Sequence, residues 1–161
     1  MSKNISKKNA ELEVELDIVA EKENDLKITV NELLTGLEFK NESKISGGHN
    51  KLRFDISIPN PELWWPYGHG DQILHHFSLK VETHNQCEHF EKKLGIRDAT
   101  IKRIKDEKGE SFEIHINDMP IYSKGANWIP ADYFVERLDS DDYKRLLKDA
   151  RNANMNTLRI W

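Results

Sequence analysis

Ile121-Tyr-Ser-Lys-Gly-Ala-Asn-Trp-Ile-Pro130 is the stretch on which the reading of this chain turns. Apolar Ile121 and Tyr122 lead into Gly125 and Ala126, small residues that let another backbone come close. Asn127 and Trp128 follow, an amide beside a flat aromatic. Pro130 then ends regular pairing. A strand that gathers polar and aromatic residues at its carboxyl end is how α/β barrels present a ligand site. Such a floor suits a sugar, whose hydroxyls need amide partners while its apolar ring face lies on an indole. The same residues also fit a plainer role, with Trp128 filling a core and Asn127 turning the chain.

Downstream the hydrophobic period changes. Asp139 is a good helix N-cap with Asp142 three residues on, and early acidic residues suit the positive end of the helix dipole. Tyr143, Leu146, Leu147, Ala150 and Ala153 recur at helical spacing, while Lys144, Arg145, Lys148 and Arg151 take the solvent side. Asn152 and Asn154 can end the helix. Met155 to Trp161 is a short apolar run broken by Arg159, the form of a strand buried on both faces. Strand, helix and strand in this order make a βαβ unit with parallel strands and a right-handed crossover. One helix cannot cover both faces of such a sheet, so the unit is expected to be the beginning of something larger. Arg159 carries the same expectation, since a guanidinium in a buried strand needs a partner that nothing downstream supplies.

Upstream the pattern is that of antiparallel strands. Residues 1–8 read as a frayed, disordered leader. From Glu11, Leu12, Val14, Leu16 and Ile18 alternate strictly with acidic residues. Leu26, Ile28 and Val30 repeat the alternation after a turn at Glu23-Asn-Asp25, and Leu37 and Phe39 give a weaker third strand. Ser46-Gly-Gly-His-Asn50 is a loop; Leu52, Phe54, Ile56 and Ile58 form the next strand. Phe77, Leu79 and Val81 continue the set, and Phe90, Leu94 and Ile96 are expected to close it. Short strands joined by polar turns indicate an antiparallel sandwich. Beyond it, Lys105 to Glu110 is a charged hairpin tip, Phe112, Ile114 and Ile116 point inward, and Asn117-Asp118 is a second turn.

Between the strands lies Asn60-Pro-Glu-Leu-Trp-Trp-Pro-Tyr-Gly-His-Gly-Asp-Gln72, whose prolines and glycines exclude a helix or central strand. Trp64 and Trp65 are expected to plug one end of the sandwich or seal a domain boundary, with a sugar-stacking platform as the alternative. The histidines do not make a metal site. Adjacent His75 and His76 face opposite ways on a strand, and His84, Cys87 and His89 have no second cluster to complete four ligands, so surface histidines are expected.

The bulk properties set outer bounds. A chain of 161 residues permits one domain or one and a fraction, and 37% hydrophobic with 32% charged residues describes a soluble, ordered protein. A net charge of -4 offers no nucleic-acid surface, and a single cysteine excludes a disulfide framework. No apolar run reaches the roughly 20 residues of a membrane helix, and the first residues lack an apolar signal core. The compartment stays open.

Four motifs, in order, carry a family resemblance: Asn60-Pro-x-Leu-Trp-Trp-Pro-x-Gly-x-Gly-x-Gln72, Gly95-Ile-Arg97, Pro120-Ile-Tyr-Ser-Lys-Gly-Ala-Asn-Trp-Ile-Pro-Ala-Asp132, and Ala153-Asn-Met-Asn-Thr-Leu-Arg-Ile-Trp161. Together they resemble the β-mannosidases of glycoside hydrolase family two. The resemblance covers Leu52 to Trp161 strongly, the earlier strands agreeing in pattern alone. It implies a mainly β chain: an immunoglobulin-like antiparallel β-sandwich over 9–97, then the N-terminal part of a truncated (β/α)8 barrel over 98–161. It also implies a retaining glycosidase acting on terminal β-D-mannosyl residues without cofactor or metal, with a β-mannoside or oligosaccharide as substrate and the rest of the parent barrel as partner. Both catalytic glutamates lie on later barrel strands in the family, so no catalytic residue is assigned here and the chain alone is expected to be inactive. Asn127, Trp128, Asp132, Arg159 and Trp161 are the substrate-binding candidates, Asp132 equally fitting a bond to a loop amide and Arg159 a structural charge pair. A family-two exo-glucosaminidase, a non-catalytic sandwich that binds carbohydrate or protein, and a degenerate gene product are the competing readings.

Overall fold

The strict alternation from Glu11 to Ile18 lies within a long strand. In the computed structural model, which describes residues 2–160, β2 (Asn9–Ala20) pairs antiparallel with β5 (Gly48–Pro59) from Asn9↔Pro59 to Ala20↔Gly48. The expected leader is not frayed. Ser2–Ile5 forms β1, an edge strand on β2, because Ile5 packs against the core and the Ser6 hydroxyl accepts from the Lys8 and Asn9 amides to tighten the turn.

A second sheet has the order β4-β3-β6-β7, with β3 at Asn24–Glu32, β4 at Leu37–Ile45, β6 at His75–Glu82 and β7 at Cys87–Leu94. Its inner residues Leu26, Ile28, Val30, Ile45 and Phe77 meet Ala10, Leu12, Ile56 and Ile58 of the first sheet in one core, which Ile96 completes. Burying each of the Leu, Ile, Val and Phe side chains among them is worth about 1.5–3 kcal/mol. Three strands facing four, all antiparallel, make an immunoglobulin-like sandwich. It departs from the constant-type arrangement in one respect: its fourth strand pairs with the third rather than joining the first, second and fifth.

Three local expectations are corrected here. The Ser46–Asn50 loop is shorter than its composition suggests, because β5 begins at Gly48 and the Asn50 amide group bonds Ser46 and Gly48 carbonyls and the Ser46 amide. Phe90 and Leu94 do not close the sandwich: β7 is exposed throughout, Phe90 by 50%, since the facing sheet has fewer strands to cover it, and Ile96 closes that side instead. His75 is fully buried rather than at the surface.

The chain divides into two compact units, 1–64 with 73–98 and 65–72 with 99–161. The neighbouring indoles fall on either side of that division, and each is packed within its own unit. Trp64 donates its amide to the Ile96 carbonyl, lies beneath the Arg97 guanidinium at 4.6 Å, and leaves no room for a Cβ at Gly95, which would meet its ring at 2.8 Å. Trp65 covers Gly70 in the same way, and Gln72 donates to the Trp65 and Gly70 carbonyls.

In the second unit β8 (Ala99–Lys102), β11 (Glu113–Ile116) and β12 (Met119–Ile121) form an antiparallel sheet, with β9 (Lys105–Asp106) and β10 (Gly109–Glu110) as the charged hairpin tip. Positive φ at Asn117 (52°) and Asp118 (66°) makes the two-residue turn whose twist suits a hairpin. Phe112 is not inward. It precedes β11 and is 62% exposed, while His115 turns inward with its ring nitrogens at the Glu113 carboxylate (2.9 Å) and the Asp118 carbonyl (3.3 Å).

The last elements are β13 (Gly125–Trp128), a 3-10 turn at Val135–Arg137, α1 (Ser140–Asn152) and β14 (Thr157–Ile160). β13 and β14 are parallel, Gly125↔Thr157 to Trp128↔Ile160. Asp139 caps α1 by accepting from the Asp141 and Asp142 amides, with Asp142 returning the bond as a capping box, and Asn154 in the left-handed conformation follows the helix.

Candidate functional site

Gly125 lets β13 and β14 come together. A Cβ there would sit 1.7 Å from the Thr157 carbonyl oxygen, so any larger residue collides with backbone. Asn156 secures the approach: its side chain accepts from the Lys124 amide and donates to the Tyr122 carbonyl, and its own amide donates to the Lys124 carbonyl at 2.8 Å.

Two of the expected site residues meet at the carboxyl end of this pair. Asn127 and Arg159 are register partners, and Arg159 Nη1 donates to Asn127 Oδ1 at 3.4 Å. Both are exposed. The bond fixes the amide so that its NH2 group remains available as a donor. Arg159 thus finds a partner in the Asn127 amide of the neighbouring strand.

The remaining candidates separate from them. Successive strand residues point to opposite faces, so Trp128 lies on the other side of the sheet from Asn127. Its ring stacks on Tyr143 of α1, centroids 6.4 Å apart and 20° from parallel. With Leu146, Ala150, Met155 and Leu158 it lines a mostly apolar cavity of about 400 Å³, to which Asn127 also contributes atoms. The Trp128 ring therefore faces the helix side of the pair. Asp132 accepts the Phe134 amide at 2.7 Å, closing the loop after β13. Trp161 lies outside the described residues. A larger cavity, about 720 Å³, opens in the sandwich beside Leu16, Ile18, Leu26, Val81 and Phe90, and none of the candidate site residues lines it.

The best-built polar cluster is one that sequence reasoning missed. Glu32 and His75 are both 0% exposed, with Nδ1 of His75 at 3.1 Å from Glu32 Oε1 and Nε2 at 2.9 Å from the Glu62 carbonyl. Glu32 also accepts from the Leu34 amide (3.1 Å), the Thr35 amide (2.7 Å) and the Thr35 hydroxyl. Burial alone pushes this carboxyl up, but the bonds from Thr35, Leu34 and His75 outweigh it and hold it below its ordinary value. Parity was the available signal. Glu32 continues the phase of Leu26, Ile28 and Val30, and His75 that of Phe77, Leu79 and Val81. Elsewhere, Cys87 Sγ lies 3.3 Å from His89 Nε2 on an exposed strand, and among the described residues no three His, Cys, Asp or Glu side chains group as a metal site. No helix among them is long and apolar enough to cross a membrane.

Known proteins agree with this architecture. The chain is 31% identical to the beta-mannosidase of Capra hircus over 95% of its own length, which is 18% of that enzyme. The crystal structure of the β-D-mannosidase from Dictyoglomus thermophilum superposes with a TM-score of 0.86 at 34% identity, covering all of this chain and 20% of that one. The exo-chitosanase of Amycolatopsis orientalis shares the fold, with a TM-score of 0.82 at 21% identity over 99% of this chain and 19% of its own. The chain therefore spans about a fifth of the length of these relatives. Because residues 1–97, more than half the chain, match the family described as glycosyl hydrolases family 2, the chain belongs to that family.

Proposed function

We propose that this chain is part of a retaining β-mannosidase that removes terminal β-D-mannosyl residues, with the sandwich over 9–97 as its immunoglobulin-like domain. Residues 98–161 are the N-terminal part of its (β/α)8 barrel. The observation that carries the reading is the contrast in identity across nearly the same residues, 34% with the β-D-mannosidase and 21% with the exo-chitosanase. The parallel pair β13 and β14 joined through α1, with polar Asn127 and Arg159 at its carboxyl end, supports the barrel assignment.

In this reading Asn127 and Arg159 form a polar part of the sugar floor, and Asp132 shapes the loop beside it. Trp128 holds α1 against the sheet. Trp161, taken from the sequence resemblance, belongs to the same floor. Retention requires a nucleophile and an acid/base carboxylate about 5–5.5 Å apart. We place both outside these 161 residues, on other strands of the barrel, which the chain needs as its structural partner.

The test compares an aryl β-D-mannoside with the corresponding β-D-glucosaminide, using the longer protein that contains this chain. Cleavage of the mannoside with retained anomeric configuration is the expected result. Cleavage of the glucosaminide alone would replace the reading with an exo-glucosaminidase. Turnover by the 161-residue chain, abolished by changing one of its own residues, would overturn the placement of the carboxylates.

A further inference from the structure

Burial within the sandwich falls off in one place. On β2 the inward residues Ala10 and Leu12, which lie alongside β1, are buried, whereas Val14, Leu16, Ile18 and Ala20 beyond it are half-buried. β6 on the facing sheet shows the same gradient: His75 and Phe77 are buried, Leu79 and Val81 half-buried. Leu16, Ile18 and Val81 line one cavity, the opening of about 720 Å³, together with Phe90, whose ring is on the inward side of β7 yet 50% exposed. The topology supplies the cause. β1 pairs with β2 from Ala10 to Leu12, so among the described residues the outer edge of β2 from Val14 to Ala20 has no strand beside it. Alternate residues of an antiparallel strand aim their N–H and C=O groups to opposite sides, so half of these backbone groups point into an open lane.

We propose that this lane receives one further extended strand, supplied by the longer polypeptide outside residues 1–161 and running antiparallel to β2 in line with β1. The inference rests on reading the chain as part of a longer protein, and not on which glycoside that protein cleaves. Four-fifths of each relative lies outside the part this chain matches, so the polypeptide that can supply a strand is there. The lane continues that of β1 and asks the same of its occupant: backbone bonds along the edge and alternate apolar side chains turned inward, as Ile5 of β1 already provides. Its outward residues would stand beside Glu15 and Asp17 on β2, which favours lysine or arginine there. The same charges disfavour a second copy of this chain, because pairing two β2 edges would bring both acidic rows together.

The experiment follows amide exchange by mass spectrometry on peptides covering residues 14–20, in the 161-residue chain and in the longer protein. In the chain alone, alternate amides of this stretch should exchange close to their intrinsic rates. In the longer protein they should slow at least tenfold, while β3, bonded on both sides by β4 and β6, exchanges alike in both. Phe90→Glu puts a charge where the inserted side chains would pack, at a position already half exposed, and should restore fast exchange of 14–20 in the longer protein while β3 stays protected. Fast exchange of the lane in the longer protein would overturn the proposal, as would slow exchange in the chain alone. Slow exchange that grows with concentration of the chain would assign the lane to a second copy instead. A Phe90→Glu protein with the lane still protected would show that the cover does not enter the cavity, which also overturns it. If that variant does not fold, the two unmodified proteins decide.

Discussion

Replacing Gly125 by alanine isolates what holds the parallel pair together. The added Cβ would lie 1.7 Å from the Thr157 oxygen and 2.7 Å from its carbonyl carbon. Ordinary contact begins near 3.5 Å, so the strands must part by about 1.8 Å, and no side-chain rotation can absorb that because the atoms met are backbone. Hydrogen bonds from the Asn156 and Thr157 amides to the Lys124 carbonyl, 2.8 and 3.2 Å, do not survive such an opening. Their loss at about 1 kcal/mol each, added to about 1–3 kcal/mol for overpacking, gives a cost of about 3–5 kcal/mol to the second unit. Urea unfolding followed by amide exchange should show β13 and β14 losing protection while the β2–β5 ladder keeps it. Gly36→Ala is the control: φ is +73° but nothing lies within 4 Å, so strain alone should cost about 1 kcal/mol. Normal protection of the Ala126 and Arg159 amides, which the register aims at the partner strand, in Gly125→Ala would refute the packing argument.

Asp139→Ala should cost about 1 kcal/mol and reduce helical circular dichroism without changing the sandwich, since it removes the cap and the box with Asp142. Glu32, held below its ordinary value in the native state, contributes stability above the usual carboxylate range and loses it as pH falls through the depressed value. The acid limb of urea midpoint against pH should therefore flatten in Glu32→Gln. In the proposed β-mannosidase, Asn127→Ala should lower kcat/KM with little change in melting temperature, because the side chain is exposed. Trp128→Ala should instead lower the melting temperature through its lost contact with Tyr143, by about 1–3 kcal/mol of stability; unchanged melting with abolished turnover would move Trp128 back to the sugar floor.

Elements with one wet and one dry face were legible in the sequence, and those without were not. β2, β3, β5 and β6 announce themselves because alternate residues meet the core. β7 alternates little and is exposed on both faces, so its pattern could not say which side was inward. α1 was readable from its cap and its period. Composition misled wherever chemistry depended on a distant partner. His75 looks like a surface residue until Glu32, far away in sequence, is seen beside it, and Ser2–Ile5 looks frayed until β2 supplies the other half of the ladder. Within the candidate site, register brings Asn127 to Arg159, while alternation sends Trp128 to the helix side. Sequence order placed the two neighbours together, and strand geometry separates them.

The nested pairing of the sandwich also dictates an order of assembly. β3 and β4 close across the short turn Leu33–Gly36, and β6 and β7 across Thr83–Gln86, whereas β2 can meet β5 only by looping out everything from Glu21 to Gly47. Local hairpins close in about 1–10 μs, and longer loops bear a greater entropic cost before any contact rewards them. The β3–β4 hairpin lies wholly inside the loop that β2 and β5 must close, so its prior formation shortens that search. Changes in the Leu33–Gly36 turn should slow refolding, and changes at Leu12 or Ile56 should chiefly speed unfolding, a division that the two arms of a chevron plot read separately.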